Sequence, residues 1–240
     1  MKITKPFLAG VLIFASVSLV LGVRTVKGNQ AGPVPDTWMV PDKTLGNSQA
    51  KIRIVEFMDY QCPSCATGSD VLNKFVKNYP DQIFVQVKYF PLSGHAHAYP
   101  AAISVECGRQ QGRFWEMHDL VFARQADWRD LPDAIQNFMS MAQLLGLDMD
   151  AWTSCVTSPT AQATVARDRR EGEKLGIQRT PTYFVNGEMI VGYVSLETKL
   201  NELLGIKPDP APTATIHETT PTAPATPAPS TDPTKDKTTG

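Results

Sequence analysis

The feature that most constrains this chain is a pair of cysteines, Cys62-Pro63-Ser64-Cys65, between a strand-like apolar run and a helical pattern. The run covers residues 52–57, and apolar side chains recur at helical spacing over residues 71–79. Thiols at a helix N-terminus face unpaired backbone N–H groups and the positive end of the helix dipole, which stabilise a thiolate. The arrangement therefore predicts a thiol pair that exchanges disulfides.

The order of elements around this pair indicates an α/β fold with a helical insertion. Residues 51–57 predict a strand, and residues 82–90 predict a second strand, parallel to the first, that Pro91 stops. Residues 97–175 show helical segments without a strand pattern. Strands return at residues 182–185 and 188–191, joined by the hairpin signal Asn186-Gly187, and a last helix is expected over residues 195–204.

Both ends of the chain differ in composition from a folded core. Residues 7–23 form an uncharged, mostly aliphatic run flanked by basic residues, which predicts export as a signal peptide or a retained membrane anchor within residues 1–28. Residues 29–47 are predicted to be a linker, with Trp38, Met39 and Val40 as the candidate for a short edge strand. The folded domain is expected over residues 48–207, followed by a disordered tail, residues 208–240, with 8 prolines and 10 threonines.

An exported chain with four cysteines is expected to form two pairs, because disulfides persist in oxidising compartments. We expect Cys62 to pair with Cys65, and Cys107 to form a structural disulfide with Cys155. The second bridge would close a loop of nearly fifty residues and stabilise the insert by about 4 kcal/mol in the chain-entropy model. Two buried free thiols are the alternative.

Composition and spacing favour neither a metal nor a nucleic acid. Zinc needs four ligands, and no second close pair of the usual geometry accompanies the cysteines, since His95 and His97 lie in a loop flanked by Gly and Pro. The net charge is −1, from 23 basic and 24 acidic residues, without a basic stripe. We therefore expect no metal, no cofactor and no nucleic-acid partner.

Three separated motifs resemble those of DsbA-type thiol-disulfide oxidoreductases. They are Ile54 to Cys65 with the preceding Leu45-Gly46-Asn47, then Phe114-Trp115-Glu116-Met117-His118-Asp119, and finally Gly176 to Gly187. The resemblance covers residues 45–204 and implies a thioredoxin fold with a helical insertion. It also implies roles for individual residues.

By this resemblance, Cys62 is the exposed nucleophile and Cys65 the buried resolving thiol. Thr180-Pro181 becomes a cis-proline turn that faces the disulfide and pairs with an extended substrate segment. Substrate binding is thus expected at Thr180 and Pro181, and also at Pro63 and Ser64 between the cysteines.

Glu56 is the one acidic residue within its predicted strand, where an unpaired carboxylate would be costly to bury. The resemblance implies that it lies beneath the disulfide and assists proton movement at Cys65; a partly exposed or paired carboxylate is the alternative. Asp59 is expected to have a structural or capping role. The tryptophans of the insert, Trp115, Trp128 and Trp152, are expected in its core.

The function that these features favour is a dithiol oxidase that introduces disulfides into exported proteins. Its expected partners are reduced exported proteins and a quinone-linked membrane protein that reoxidises the pair. We expect a monomer outside the cytoplasm, in the periplasm or on the outer face of the membrane, anchored by the N-terminal segment. A disulfide reductase or isomerase, or a thioredoxin-like binding module without catalysis, is the alternative.

Overall fold

A five-stranded mixed sheet forms the base of the protein in the computed structural model, which describes residues 40–207. The strands lie in the order β1-β3-β2-β4-β5. Strand β2 is parallel to β3, and the other neighbouring strands are antiparallel. The strands are β1 (Thr44–Gly46), β2 (Ile52–Met58), β3 (Ile83–Tyr89), β4 (Thr182–Val185) and β5 (Glu188–Val191).

The predicted β-α-β unit is confirmed. Strand β2 leads through a short turn into helix α1 (Pro63–Asn78), which returns the chain to β3. All seven residues of β3 are buried, as are all but Arg53 in β2, so both strands need apolar side chains on both faces. This central pair places the cysteine turn at the C-terminal end of β2.

The predicted helical insert is also confirmed, because six helices and no strand lie between β3 and β4. They pack around buried aromatic and aliphatic residues that are continuous with the core on one face of the sheet. The structure joins Cys107 in α2 to Cys155 in α6 by a disulfide. The helices are α2 (Ala98–Gln110), α3 (Phe114–Ala123), α4 (Gln125–Trp128), α5 (Ile135–Leu144), α6 (Met149–Val156) and α7 (Pro159–Lys174).

The hairpin between β4 and β5 has the predicted boundaries. Asn186 and Gly187 have φ values of 50° and 87°, the left-handed region that a two-residue hairpin of this kind requires. The Asn186 side chain also accepts a hydrogen bond of 2.8 Å from the Arg53 N–H, which fixes the hairpin to β2. Helix α8 (Tyr193–Leu204) then ends the described part of the chain.

A short edge strand lies just after the predicted candidate, Trp38 to Val40, of which the structure describes only Val40. Val40 is not part of a strand; instead, Thr44–Gly46 pairs with β3, inside the segment expected to be linker. Gly46 has a φ of 85°, and a Cβ there would come 2.2 Å from the carbonyl oxygen of Ile83, so only glycine fits this close approach. Packed structure therefore begins before residue 48.

Lys43, just before β1, is fully buried against helix α7. Its ammonium group lies 2.5 Å from the Asp168 carboxylate and 3.9 Å from the centre of the Tyr89 ring. Burial lowers the pKa of Lys43 and the Asp168 charge opposes that effect. The N-terminal segment is thus held to the sheet and the insert by a pair of buried charges.

Two predicted segments, the export segment within residues 1–28 and the Pro/Thr-rich tail of residues 208–240, lie outside the described residues. The same holds for Trp38 and Met39. None of the helices within residues 40–207 is both long and apolar enough to span a bilayer.

Candidate active site

The cysteine pair lies where β2 gives way to α1. Cys62 is the N-cap residue, with extended backbone, and Pro63 occupies the first helical position, where its missing N–H costs no hydrogen bond. The Cys62 carbonyl accepts the first helical hydrogen bonds, from the N–H groups of Cys65 at 3.0 Å and Ala66 at 3.3 Å. Both cysteines are free thiols. Cys62, which was predicted to be exposed, is buried, with 8% of its surface accessible, because the loop that carries Thr180 packs against it. Pro63 and Ser64 between the cysteines are exposed.

The environment of Cys62 favours its thiolate. A hydrogen bond from the Cys65 thiol makes the largest contribution and lowers the pKa of Cys62 to about 6, against the opposing effect of burial. Smaller contributions come from Thr180 and from the backbone N–H groups of Ser64 and Cys65. From the sequence, the helix N-terminus was the expected cause of a low Cys62 pKa. In the structure, the Cys65 thiol contributes most to lowering it.

Cys65 has the opposite character. It is fully buried, burial raises its pKa well above the ordinary value, and the neighbouring Cys62 raises it further. The backbone N–H of Asp59 opposes this rise in pKa, because it donates to the Cys65 sulfur at 3.4 Å and so stabilises the thiolate. The pair is therefore asymmetric, with a thiolate at Cys62 and a protonated thiol behind it.

The loop before β4 brings a distant part of the chain against Cys62. The Thr180-Pro181 peptide bond is cis, and the Cys62 thiol donates to the Thr180 carbonyl at 3.5 Å across 118 residues of sequence. Pro181 is buried and Thr180 is half-buried, with the side-chain oxygen of Thr180 enclosed and without a hydrogen-bond partner. The structure thus places both residues beside the cysteine pair.

Glu56 lies on β2 beneath the cysteine turn and is almost completely buried, with 2% of its surface exposed. Burial raises its pKa to about 8, and the Tyr183 hydroxyl opposes that shift. Its Oε1 atom has no hydrogen-bond partner of normal geometry. The position predicted for Glu56 therefore holds a carboxyl group that carries a proton at neutral pH.

Asp59 organises the loops around the turn, as its expected capping role requires. One carboxylate oxygen accepts from the Gln61 N–H at 2.7 Å. The other accepts from the Leu92 N–H at 2.9 Å and lies 2.7 Å from Nδ1 of His95. His95 therefore contacts the Asp59 carboxylate. Within residues 40–207, no group of three or more His, Cys, Asp or Glu residues is arranged to hold a metal ion.

The helical insert is hydrogen-bonded directly to the turn that carries Cys62. Gln125 of α4 donates to the Tyr60 carbonyl at 2.6 Å and to the Cys62 carbonyl at 3.1 Å. Gln61 donates to the Arg129 carbonyl at 2.7 Å and accepts from the His97 N–H at 2.6 Å. The sequence did not predict these contacts, because their partners are 36 to 68 residues away along the chain.

A buried chain of polar side chains joins the insert to α1. The Tyr60 hydroxyl lies 2.9 Å from Nδ1 of His118, and Nε2 of His118 lies 3.1 Å from the Ser69 hydroxyl. Burial lowers the pKa of His118 to about 3, so the imidazole is neutral. His118 stood in a motif quoted for the family resemblance, but only the fold shows what it contacts.

The insert's own core agrees with expectation. Trp128 and Trp152 are fully buried, and their indole N–H groups donate to the carbonyls of Val121 and Ser104. Trp115 is half-buried and donates to the Thr44 carbonyl.

Comparison with known proteins places these observations in a family. A family model described as thioredoxin matches residues 39–203. Among solved structures, alpha-DsbA1 of Wolbachia pipientis is 23% identical, with a TM-score of 0.60 over 70% of this chain and 92% of that one. Oxidised BdbD of Bacillus subtilis is 24% identical, with a TM-score of 0.59 over 68% and 92%. These similarities show a shared fold.

A further relative is a larger protein. The Na(+)/H(+) antiporter NhaA 3 of Salinispora tropica is 29% identical over 157 residues, which are 65% of this chain and 23% of the antiporter. The chain thus spans about a quarter of the length of the curated relatives it matches. By the extent of the family match, and with the fold of DsbA-type proteins, the chain belongs to the thioredoxin family.

Proposed function

We propose that this protein is a thiol-disulfide oxidoreductase and that it acts as a dithiol oxidase on exported proteins. The observation that carries the proposal is the asymmetry of the cysteine pair. Cys62 is placed and polarised as a thiolate at the start of α1, while Cys65 is buried and protonated behind it.

The direction of the reaction follows from this asymmetry. Stabilising the Cys62 thiolate stabilises the reduced pair, and a stabilised reduced pair passes its disulfide on more readily. The thiol pair of thioredoxin, a reductant, has a potential near −270 mV, whereas a strong oxidant is near −120 mV. A Cys62 pKa of about 6 lies between the value of thioredoxin, about 7, and that of a strong oxidant, about 3.5, and so supports a potential above about −270 mV but short of about −120 mV.

In the proposed reaction, a substrate thiolate attacks Cys62 of the disulfide form, and the sulfur of Cys65 leaves. Glu56, protonated at neutral pH, supplies the proton that the buried Cys65 sulfur takes up. The second cysteine of the substrate then attacks the substrate sulfur of the mixed disulfide, and Cys62 leaves as a thiolate. The substrate loses two electrons and the Cys62–Cys65 pair gains them.

Substrate proteins are proposed to bind as extended segments beside Thr180 and Pro181. Here the Thr180 carbonyl already faces Cys62, and Pro63 and Ser64 are exposed next to it. A segment paired with this loop would present its cysteine to the Cys62 sulfur. We also propose that the protein acts outside the cytoplasm, tethered by its N-terminal segment, and that a quinone-linked membrane protein reoxidises it.

The test is the reduction potential of the Cys62–Cys65 couple in the full chain, equilibrated with glutathione buffers. A Cys107→Ala/Cys155→Ala variant serves as the control that assigns the signal to the active pair. A potential well above −270 mV, toward −120 mV, supports the oxidase. A potential at or below −270 mV would instead assign the protein to the reductases.

A second experiment separates catalysis from binding without chemistry. Cys62→Ala should abolish the oxidation of a reduced test protein, and Cys65→Ala should accumulate mixed disulfides through Cys62. Normal turnover by either variant, or a wild-type pair that does not exchange with glutathione, would contradict the mechanism.

A further inference from the structure

The side chain of Tyr183 lies beneath the cysteine turn beside Glu56. Strands β2 and β4 are antiparallel, and their register sets Glu56 directly opposite Tyr183. Opposed residues in such a pair project from the same face of the sheet, with their side chains in contact range. Tyr183 is completely buried, so its hydroxyl shares the enclosed space of the Glu56 carboxyl group.

Gly68 in α1 makes room for this hydroxyl. A Cβ at position 68 would lie 2.3 Å from the Tyr183 oxygen and 3.5 Å from Cγ of Pro181. Gly68 follows Cys65 by three residues, about one helical turn. The hydroxyl is therefore held between the helix that carries the cysteines, the cis-proline loop and the Glu56 strand.

Packing alone does not explain why a hydroxyl is present. Three buried side-chain atoms within residues 40–207 lack a hydrogen bond of normal geometry, and all three surround the cysteine pair, although the Tyr183 hydroxyl is close enough to Glu56 to lower its pKa. They are Oε1 of Glu56, Oγ1 of Thr180 and the hydroxyl of Tyr183. A buried polar atom without a partner is destabilising, and phenylalanine would fill the same volume without that cost.

We propose that Tyr183 is a positioning residue for proton transfer between Cys65 and Glu56, its hydroxyl donating a hydrogen bond to the Glu56 carboxylate once that group is ionised. This inference rests on the proposed exchange reaction. It adds that the Tyr183 hydroxyl stabilises the ionised form of Glu56, the proton acceptor in that reaction.

The step concerned is the release of a mixed disulfide at Cys62. Cys65 gives its proton to ionised Glu56, and the resulting thiolate attacks the Cys62 sulfur. The bond between Cys62 and the partner's sulfur breaks, and that sulfur leaves as a thiolate and takes a proton from water. Two electrons pass from the cysteine pair to the partner, and Tyr183 keeps its own proton throughout.

The ionisable groups that face this site come from two elements and the turn between them. Glu56 is on β2, Cys65 is on α1, and Tyr60 and the N-cap residue Cys62 lie in the turn between them. Each of these interacts electrostatically with Tyr183 or Glu56. Of the groups in this set, Glu56 is the one whose pKa, about 8, falls in the range of a neutral to mildly alkaline titration.

The experiment follows oxidised glutathione reacting with the reduced full chain, using rapid acid quench to separate formation of the mixed disulfide from its release. In the wild type, the release rate should rise with pH through a midpoint near 8, as Glu56 ionises. Glu56→Gln should remove this midpoint. Tyr183→Phe should move it upward by about one pH unit, because the ionised carboxylate loses a charge-assisted donor.

Two further variants separate this role from a structural one. Tyr99→Phe is the matched control, since the Tyr99 hydroxyl donates to the Gln162 carbonyl away from the site; it should leave the midpoint unchanged. Gly68→Ala should displace the hydroxyl and raise the midpoint by itself, yet add nothing in the Tyr183→Phe background.

An unchanged midpoint in Tyr183→Phe overturns the proposal, whatever that variant does to thermal stability. An equal shift in Tyr99→Phe, or additive shifts from the two site variants, overturns it as well. Failure of the oxidase proposal is distinguishable, because a potential near −270 mV would leave the glutathione profile and its interpretation intact.

Discussion

The hydrogen bond from the Cys65 thiol to Cys62 should account for a large part of the low pKa of Cys62. That pKa lies at about 6 rather than the ordinary 9.0, and the second thiol ranks first among its causes. A hydrogen bond to a charged group contributes about 1.5–3 kcal/mol, which corresponds to about one to two pKa units. Replacing Cys65 with alanine should therefore raise the pKa of Cys62 to about 7–8.

A serine at position 65 provides the matched control, because its hydroxyl can still donate to the Cys62 sulfur while the redox pair is lost. Thiolate absorbance near 240 nm, recorded against pH for Cys65→Ala and Cys65→Ser, measures the pKa of Cys62 in each variant. A Cys62→Ala/Cys65→Ala double variant supplies the baseline. If the alanine variant also titrates near pH 6, the helix N-terminus alone carries the effect and our reasoning is refuted.

The same shift predicts how stability depends on pH in the reduced protein. The folded pKa of Cys62 lies below its unfolded value, so the contribution is complete above about pH 9 and is lost as the pH falls through 6. At pH 7, this amounts to about 1 kcal/mol after allowance for solvent screening. Between pH 5 and pH 7, the unfolding free energy of Cys65→Ser should therefore rise by about 1 kcal/mol more than that of Cys65→Ala. Comparing the two variants cancels the titrations of Glu56 and His118, which both variants share.

Three further predictions concern the scaffold, each measured as the free energy of unfolding in denaturant. Replacing Cys107 and Cys155 with alanine should lower it by up to about 4 kcal/mol, since the bridge spans 48 residues; a loss below about 1 kcal/mol would argue against that loop-entropy account. Gln125→Leu should cost about 1–3 kcal/mol by leaving the Tyr60 carbonyl without its donor, and an unchanged value would show that water replaces the amide. Asp168→Asn should cost about 3–5 kcal/mol because the Lys43 charge stays buried without its anion; a near-neutral effect would mean that Lys43 loses its proton instead.

Local patterns sufficed to predict the parts of the fold that local chemistry determines. The cysteine turn follows from the strand-like apolar run before the cysteines and the helical pattern after them. The hairpin follows from Asn186-Gly187, because few residues tolerate a positive φ. Glu56 was identified as a candidate site residue because burying an unpaired carboxylate in an apolar strand is costly.

The remaining features depend on contacts between distant segments. The apolar residues Trp38 to Val40 suggested an edge strand; of these, the structure describes only Val40, which is not in a strand, and the edge of β3 pairs with Thr44–Gly46. The residues near Lys43 in the sequence do not predict its burial, because its partner Asp168 is 125 residues away. Tyr183 was predicted as a strand residue, but the sequence did not show that β4 would place it opposite Glu56.

The hydrogen bonds from Gln125 connect the cysteine turn to a helical insert that is crosslinked by a disulfide other than the one the protein is proposed to exchange. Gln125 belongs to the same helical insert that the Cys107–Cys155 bridge holds together, and its amide supports the backbone from which Cys62 projects. A chain that lacks the bridge is therefore expected to hold its active turn less rigidly. In a reducing compartment the Cys62–Cys65 pair would be reduced before the bridge, because structural disulfides have potentials below about −300 mV; the insert would therefore keep supporting the turn while the catalytic pair changes its oxidation state.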